Sequence, residues 1–259
     1  MKRKKKHWIT SIVVFFLGIL CVVPYFLVLT GGFYQQDRGF SFQAYYDVFL
    51  GTSQYLFRFW RSLGICLYIV FGQVLVSVLS GYGFAKYSFP GKNIMFFFLM
   101  ILMILPLQVT QVPTYIILDK LKILGRDAAL IFPNIFVPLG TFLMTQCFRT
   151  VSDDMLDSAR IDGCGLFGIF FGVVIPVSKG GLVCTGILSF LDAWNMVEQP
   201  IAYLDGFEDY PISVALAYVS SGNWEKQFAC CLLVLLPPLF LFSYFNRELV
   251  EGIVFGEEK

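Results

Sequence analysis

Histidine is almost absent from this sequence: His7 is the single one among 259 residues. His7 stands ahead of the first apolar run, so a Ser–His or Cys–His nucleophile pair within the spans is not expected, and a histidine-rich metal site has no material to form from. The seven cysteines (Cys21, Cys66, Cys147, Cys164, Cys184, Cys230 and Cys231) mostly lie in apolar runs without metal-ligand spacing. They are expected as buried free thiols. No Gly-x-x-x-x-Gly-Lys-Ser/Thr run occurs, so the chain is not expected to bind ATP or hydrolyse it. Charge is scarce as well. Asp, Glu, Lys and Arg make up 14% of the chain, against about a quarter of a soluble domain. Too little polar material remains to clothe a soluble surface, and part of the solvent must be lipid.

What is present is apolar sequence in long runs. A membrane helix needs about 20 mostly apolar residues. Six segments qualify: Ile9–Leu29, Leu63–Ala85, Ile94–Leu118, Ala128–Phe148, Leu182–Tyr203 and Phe228–Phe245. The fold class expected is all-α, a polytopic membrane protein of six spans forming one domain over 1–259. The first run is too long for a signal peptide and lacks a small-x-small cleavage site, so it is expected to stay as a span. Five of the nineteen lysines and arginines stand at Lys2–Lys6. Six spans put twelve of the nineteen on the side of the N-terminus and seven on the other, which predicts both termini in the cytoplasm. The longest cytoplasmic link is Arg149–Gly181, and a polar tail covers 246–259. An outer link, Leu204–Lys226, holds a short apolar stretch, Ile212–Val219, expected as a small helix.

The cytoplasmic link carries the most information. Ser152 is placed to cap a helix whose first turn holds Asp153 and Asp154, next to the positive helix end. Met155, Leu156, Ala159 and Ile161 offer apolar and small surface, Gly163 permits a sharp turn, and Phe167, Phe170 and Phe171 follow on a second helix. A helix lying on lipid headgroups is the plainer alternative. Its polar face is usually basic, whereas this one carries four aspartates against Arg160.

The run Asp157-Ser158-Ala159-Arg160-Ile161-Asp162-Gly163, followed by Val174-Ile175-Pro176, resembles the "EAA" loop of binding-protein-dependent importer permeases. Phe40–Phe49, Gly83–Gly91, Leu105–Gln108 and Ala193–Asn195 fit the same family, close to the maltose-transporter-like, carbohydrate-uptake permeases. The resemblance implies a membrane permease subunit that is not itself an enzyme. It would be located in a bacterial inner membrane and move a sugar or oligosaccharide by alternating access. Implied partners are a second permease, two ATPase subunits that bind ATP and Mg, and an extracytoplasmic solute-binding protein, with no nucleic acid. Asp157–Gly163 and Pro176 would couple to the ATPase, with Ala159 lying against it, and the tail would reach the ATPase pair. Three departures stand out: Asp157-Ser158 for Glu-Ala, Gly180-Gly181 after Pro176 where a proline is common, and Met196–Pro200 in place of an apolar stretch.

Asp192 and Glu198 are the carboxylates deepest within a predicted span, with Asn195 between them. Intramembrane charges usually face a cavity or a partner. On a continuous helix, positions 192, 195 and 198 would spread over roughly 60°, giving one polar face. Gln108 and Gln111 join them as candidate pathway residues; Gln73 and Asn134 fit interhelical bonding better. Two other functions stay open at this point: an ion-coupled transporter using Asp192 and Glu198, and an importer of a non-sugar solute such as a glycerol phosphate.

Overall fold

The computed structural model describes residues 2–35, 39–51, 53–218 and 224–254. Among the described residues it is helical apart from turns, short loops and one ribbon of two two-residue strands. In order the elements are α1 (Lys2–Gly31), β1 (Tyr34–Gln35), β2 (Gly39–Phe40), α2 (Gln43–Tyr46) and α3 (Ser53–Lys86). Then come α4 (Lys92–Ile104), α5 (Leu107–Lys120), α6 (Asp127–Ile135), α7 (Pro138–Thr150), α8 (Asp153–Ile161) and α9 (Leu166–Ile169). A wide turn, Phe170–Val174, leads to α10 (Ile175–Val177), α11 (Lys179–Trp194), α12 (Glu198–Tyr203), α13 (Ile212–Ala215) and α14 (Trp224–Val254). Four helices among the described residues are long and apolar enough to cross a membrane, or six if two bent pairs each count as one span. Residues 1, 36–38, 52, 219–223 and 255–259 lie outside the description, and with them the end of the predicted tail and of the Ile212–Val219 stretch.

Two compact units share this chain. The first takes in the residues up to Phe59 and Ala215–Leu236. Its α1 candidate span, Ser11–Gly31, is unburied within the chain, as suits a helix set against lipid or another subunit. Phe33 gathers Phe40, Phe42 and Tyr45 around it, the Tyr45 hydroxyl donates to the Leu29 carbonyl, and Lys226 pairs with Asp47 at 2.8 Å.

The second unit, Trp60–Val214 with Pro237 onward, holds the candidate sites. Membrane helices associate through small residues that let backbones approach. Here Gly81 of α3 lies against Met144 of α7, Gly140 of α7 against Ser77 and Thr185, and Gly181 of α11 against Cys147. A Cβ at any of these glycines would collide with its neighbour. The Gly180-Gly181 departure thus serves a close α7–α11 packing. Below the crossing, Val78, Met144, Phe148 and Val174 bury together with Leu156 and Ala159 of α8. At the opposite end of α3, Arg61 joins Asp127 at 2.7 Å and Asp209 at 3.0 Å, and Ser62 accepts from the Ile212 amide.

Proline sets the breaks, and two predicted spans are corrected by it. Ile94–Leu118 is not one helix: Leu105 is extended (ψ 126°) before Pro106, and α4 and α5 meet at a 105° bend. The ring of a proline disfavours helical geometry in the residue before it. Leu182–Tyr203 also breaks. α11 ends at Trp194, and α12 restarts at Glu198 so that Pro200 falls in its first turn, where a missing N–H costs nothing. Asp192, Asn195 and Glu198 therefore do not share a face of one helix. Among the thiols, Cys66, Cys147, Cys184 and Cys230 are buried, but Cys21 and Cys164 are exposed, contrary to expectation.

Candidate functional site

The segment after α7 is built from its caps inward. Ser152 is extended (ψ 145°), and its Oγ accepts from the Met155 amide at 3.4 Å, as its place ahead of two aspartates predicts. The far end of α8 closes on glycine. Gly163 has φ +83°; its N–H donates to the Arg160 carbonyl and the Cys164 N–H to the Ala159 carbonyl, each at 3.0 Å. This is a Schellman closure, which satisfies two carbonyls that a helix end otherwise leaves bare. Ser158 Oγ donates to the Asp154 carbonyl at 2.8 Å, and Arg160 pairs with Asp157 at 2.6 Å.

α8 is amphipathic, and the structure fixes which way it faces. Leu156 and Ala159 are buried in the chain's own core. Met155, Asp157, Arg160, Ile161 and Asp162 are exposed, Ile161 at 86%, and beyond the turn Leu166 and Phe167 are exposed too. The expectation that Ala159 lies against a partner protein is corrected. Its small side chain serves the close approach of α8 to the core of its own chain. Pro176 sits at the other end of the segment, exposed in α10.

Lys86, the last residue of α3, reaches back to this segment. Its Nζ donates to the Val151 carbonyl at 2.6 Å and to Asp153 at 2.8 Å. The hydrogen bond from Lys86 holds the Asp153 carboxyl below the usual range. Sequence reading left Lys86 out of the site, although a lysine at a helix C-terminus beside an acidic helix start is a legible charge signal.

The same α3 forms one wall of a cleft of about 540 Å³. Gln73 from α3, Asn134 from α6, Ser189 and Asp192 from α11, Asn195 at the helix end, and Glu198 and Gln199 from α12 line it. The helix break thus changes how the three predicted residues meet, yet it leaves all three on one cleft. Gln108 donates to both Glu198 carboxylate oxygens at 3.1 Å, and Gln111 donates to the Glu198 carbonyl at 3.2 Å. Asn195 donates to the Leu191 carbonyl at 2.9 Å. Asn134 donates to Gln199 Oε1 at 2.6 Å, an interhelical bond that also stands on the cleft wall. Gln199 and Ser189 were missed by sequence reading. Their polarity alone does not separate them from residues bonding between helices.

A family profile matches residues 73–250, under the description "binding-protein-dependent transport system inner membrane component". The chain belongs to this family. The match contains the whole capped segment and, apart from Ile69, the cleft lining. The arabinooligosaccharides transport system permease protein AraQ of Bacillus subtilis (strain 168) is 31% identical over 222 residues, 85% of this chain and 79% of that one. The sn-glycerol-3-phosphate transport system permease protein UgpE of Pectobacterium atrosepticum is 30% identical over 206 residues, covering 76% and 72%. A chain of a bacterial ABC transporter involved in the import of the acidic polysaccharide alginate shares the fold, with a TM-score of 0.82 at 15% identity over 92% of this chain and 94% of that one. The chain is thus a multi-pass membrane permease of an ATP-driven importer. This family membership sets aside the ion-coupled alternative.

Proposed function

We propose that this permease moves a sugar or oligosaccharide, delivered by an extracytoplasmic solute-binding protein, by rocking between outward- and inward-facing states. A second permease completes the pathway. Two separate ATPase subunits bind ATP and Mg and supply the hydrolysis. Both termini and the α8–α10 segment lie on the cytoplasmic side.

One observation carries this reading: α8 is fixed on its inner face and free on its outer face. Its caps, its buried Leu156 and Ala159, and the Lys86 link make it one body with α3, while Ile161 and Phe167 stand exposed without a role in the chain's own core. An apolar residue at 86% exposure beside charged neighbours suits a protein partner. Asp157, Ser158, Arg160, Asp162 and the Gly163 turn frame that surface, and Pro176 closes the segment. ATPase closure would push α8, and α3 would carry the displacement to the wall of the cleft at Gln73. The cleft with Asp192, Asn195, Glu198, Gln108 and Gln111 is this chain's share of the pathway.

The test is the double variant Ile161→Glu with Phe167→Glu, made in the complete complex. Both side chains are exposed, so the spans should insert and fold as before. Co-purification of the ATPase should be lost, and with it the ATP turnover stimulated by the loaded binding protein. Normal assembly and turnover would overturn the docking assignment.

A further inference from the structure

We propose that the cleft filters solutes by charge: it admits uncharged, hydroxyl-rich molecules and rejects anions such as phosphate esters and uronates. The proposal rests on the reading of the cleft as part of the pathway, and it deepens that reading.

Asp192 and Glu198 are both exposed on the cleft. No lysine, arginine or histidine lines it among the described residues. Among the described residues five carboxylates pair with cations: Asp47 with Lys226, Asp127 and Asp209 with Arg61, Asp153 with Lys86, and Asp157 with Arg160. Neither Asp192 nor Glu198 belongs to an ion pair among the described residues. Glu198 is instead oriented by the neutral amide of Gln108, which leaves its charge uncancelled.

A second observation is an unpartnered hydroxyl on the cleft wall, one of four buried hydroxyls without a partner among the described residues; the others, Ser77, Ser178 and Thr185, do not line the cleft. Ser189 is 2% exposed, lies on the cleft wall, and its Oγ has no hydrogen-bond partner among the described residues. A buried hydroxyl without a partner costs free energy that a polar ligand atom would recover. Gln73, Asn134, Asn195 and Gln199 add amides. Hydroxyls and amides both donate and accept, so a polyol meets every one of these groups, including a carboxylate, with a usable partner. A phosphate or a uronate carboxylate only accepts, and it would bring its oxygens against two acceptor-only groups of like charge. The chemistry therefore matches the neutral solute named for the arabinooligosaccharide relative, and opposes the phosphate ester named for the glycerol-3-phosphate relative.

The experiment reads the charge of the cleft directly. Asn195→Cys is introduced in the complete complex in lipid nanodiscs. Methanethiosulfonate reagents bearing trimethylammonium, ethyl or sulfonate groups are then applied, and modification at position 195 is followed by mass spectrometry. Two unpaired carboxylates nearby should make the cationic reagent faster than the anionic one by about tenfold or more, relative to a small thiol in solution. Asp192→Asn with Glu198→Gln should bring that ratio back to within about twofold of the solution value. If the double variant fails to assemble, each single variant should lower the ratio part of the way. Equal rates for the two charged reagents would overturn the filter, as would a ratio that survives neutralisation of both carboxylates. Failure of all three reagents would instead count against the pathway reading itself, because position 195 would then be closed to water.

Discussion

Replacing Gly163 separates a backbone requirement from a steric one. At φ +83° the residue sits in the left-handed region, and a Cβ built there meets nothing within 4 Å. Crowding therefore plays no part, and the cost of a side chain is conformational alone. An L-residue in this region pays roughly 1–2 kcal/mol, a factor of about 5–30 in an equilibrium. Asparagine tolerates the conformation best after glycine, and a β-branched residue tolerates it least. The order expected is Gly, then Asn, then Ala, then Val, although alanine is the smaller side chain. Relaxation to an ordinary φ would break the bonds from the Gly163 and Cys164 amides to the Arg160 and Ala159 carbonyls, and α8 would fray at its outer end. The assay is binding-protein-stimulated ATP turnover in the purified complex, with amide hydrogen exchange of Gly163 and Cys164 (the substituted residue's amide in the variants) reporting the closure. The spans should remain inserted throughout. Normal turnover and protection in Gly163→Val would refute the reasoning. So would an asparagine variant as impaired as the valine one, since that pattern would implicate something other than φ.

Three further outcomes are expected. Ala159→Trp should destabilise the permease itself by roughly 1–3 kcal/mol, because Ala159 is packed beside Leu156 and Ile169; a lowered melting temperature of the chain without its ATPase would show this, and an unchanged one would return Ala159 to an outward role. The Asp153 carboxyl, held low by Lys86, should stabilise the folded segment at neutral pH and lose that contribution as pH falls below the ordinary carboxylate range near about 3.9; infrared titration should show its pKa rising in Lys86→Met, and no rise would remove the link. Cys164, exposed between α8 and α9, should resist membrane-impermeant thiol reagents in intact cells and react in inverted vesicles; labelling in intact cells would reverse the proposed topology.

The sequence by itself determined the solvent, the number of apolar runs and the capped turn. Lipid follows from 14% charge, because no arrangement of these residues covers a soluble surface. The α8 cap and the Gly163 turn were legible because capping is local: Ser152 and Gly163 act on amides and carbonyls within a few residues of themselves. Proline positions were equally visible, but whether Pro106 and Pro200 kink a span or divide it was not. Membrane helices accommodate proline when neighbours satisfy the freed groups, so the outcome depends on packing. Tertiary structure decided the rest. Only the packed α8 tells Ala159, facing its own core, from Ile161, facing outward, since both fit an amphipathic pattern. Only the fold brings Gln108 to Glu198, ninety residues away, and sets Ser189 and Gln199 on the same wall as Asp192. Helix periodicity orders side chains around one axis, and these meetings occur between different axes, across breaks that end the periodicity.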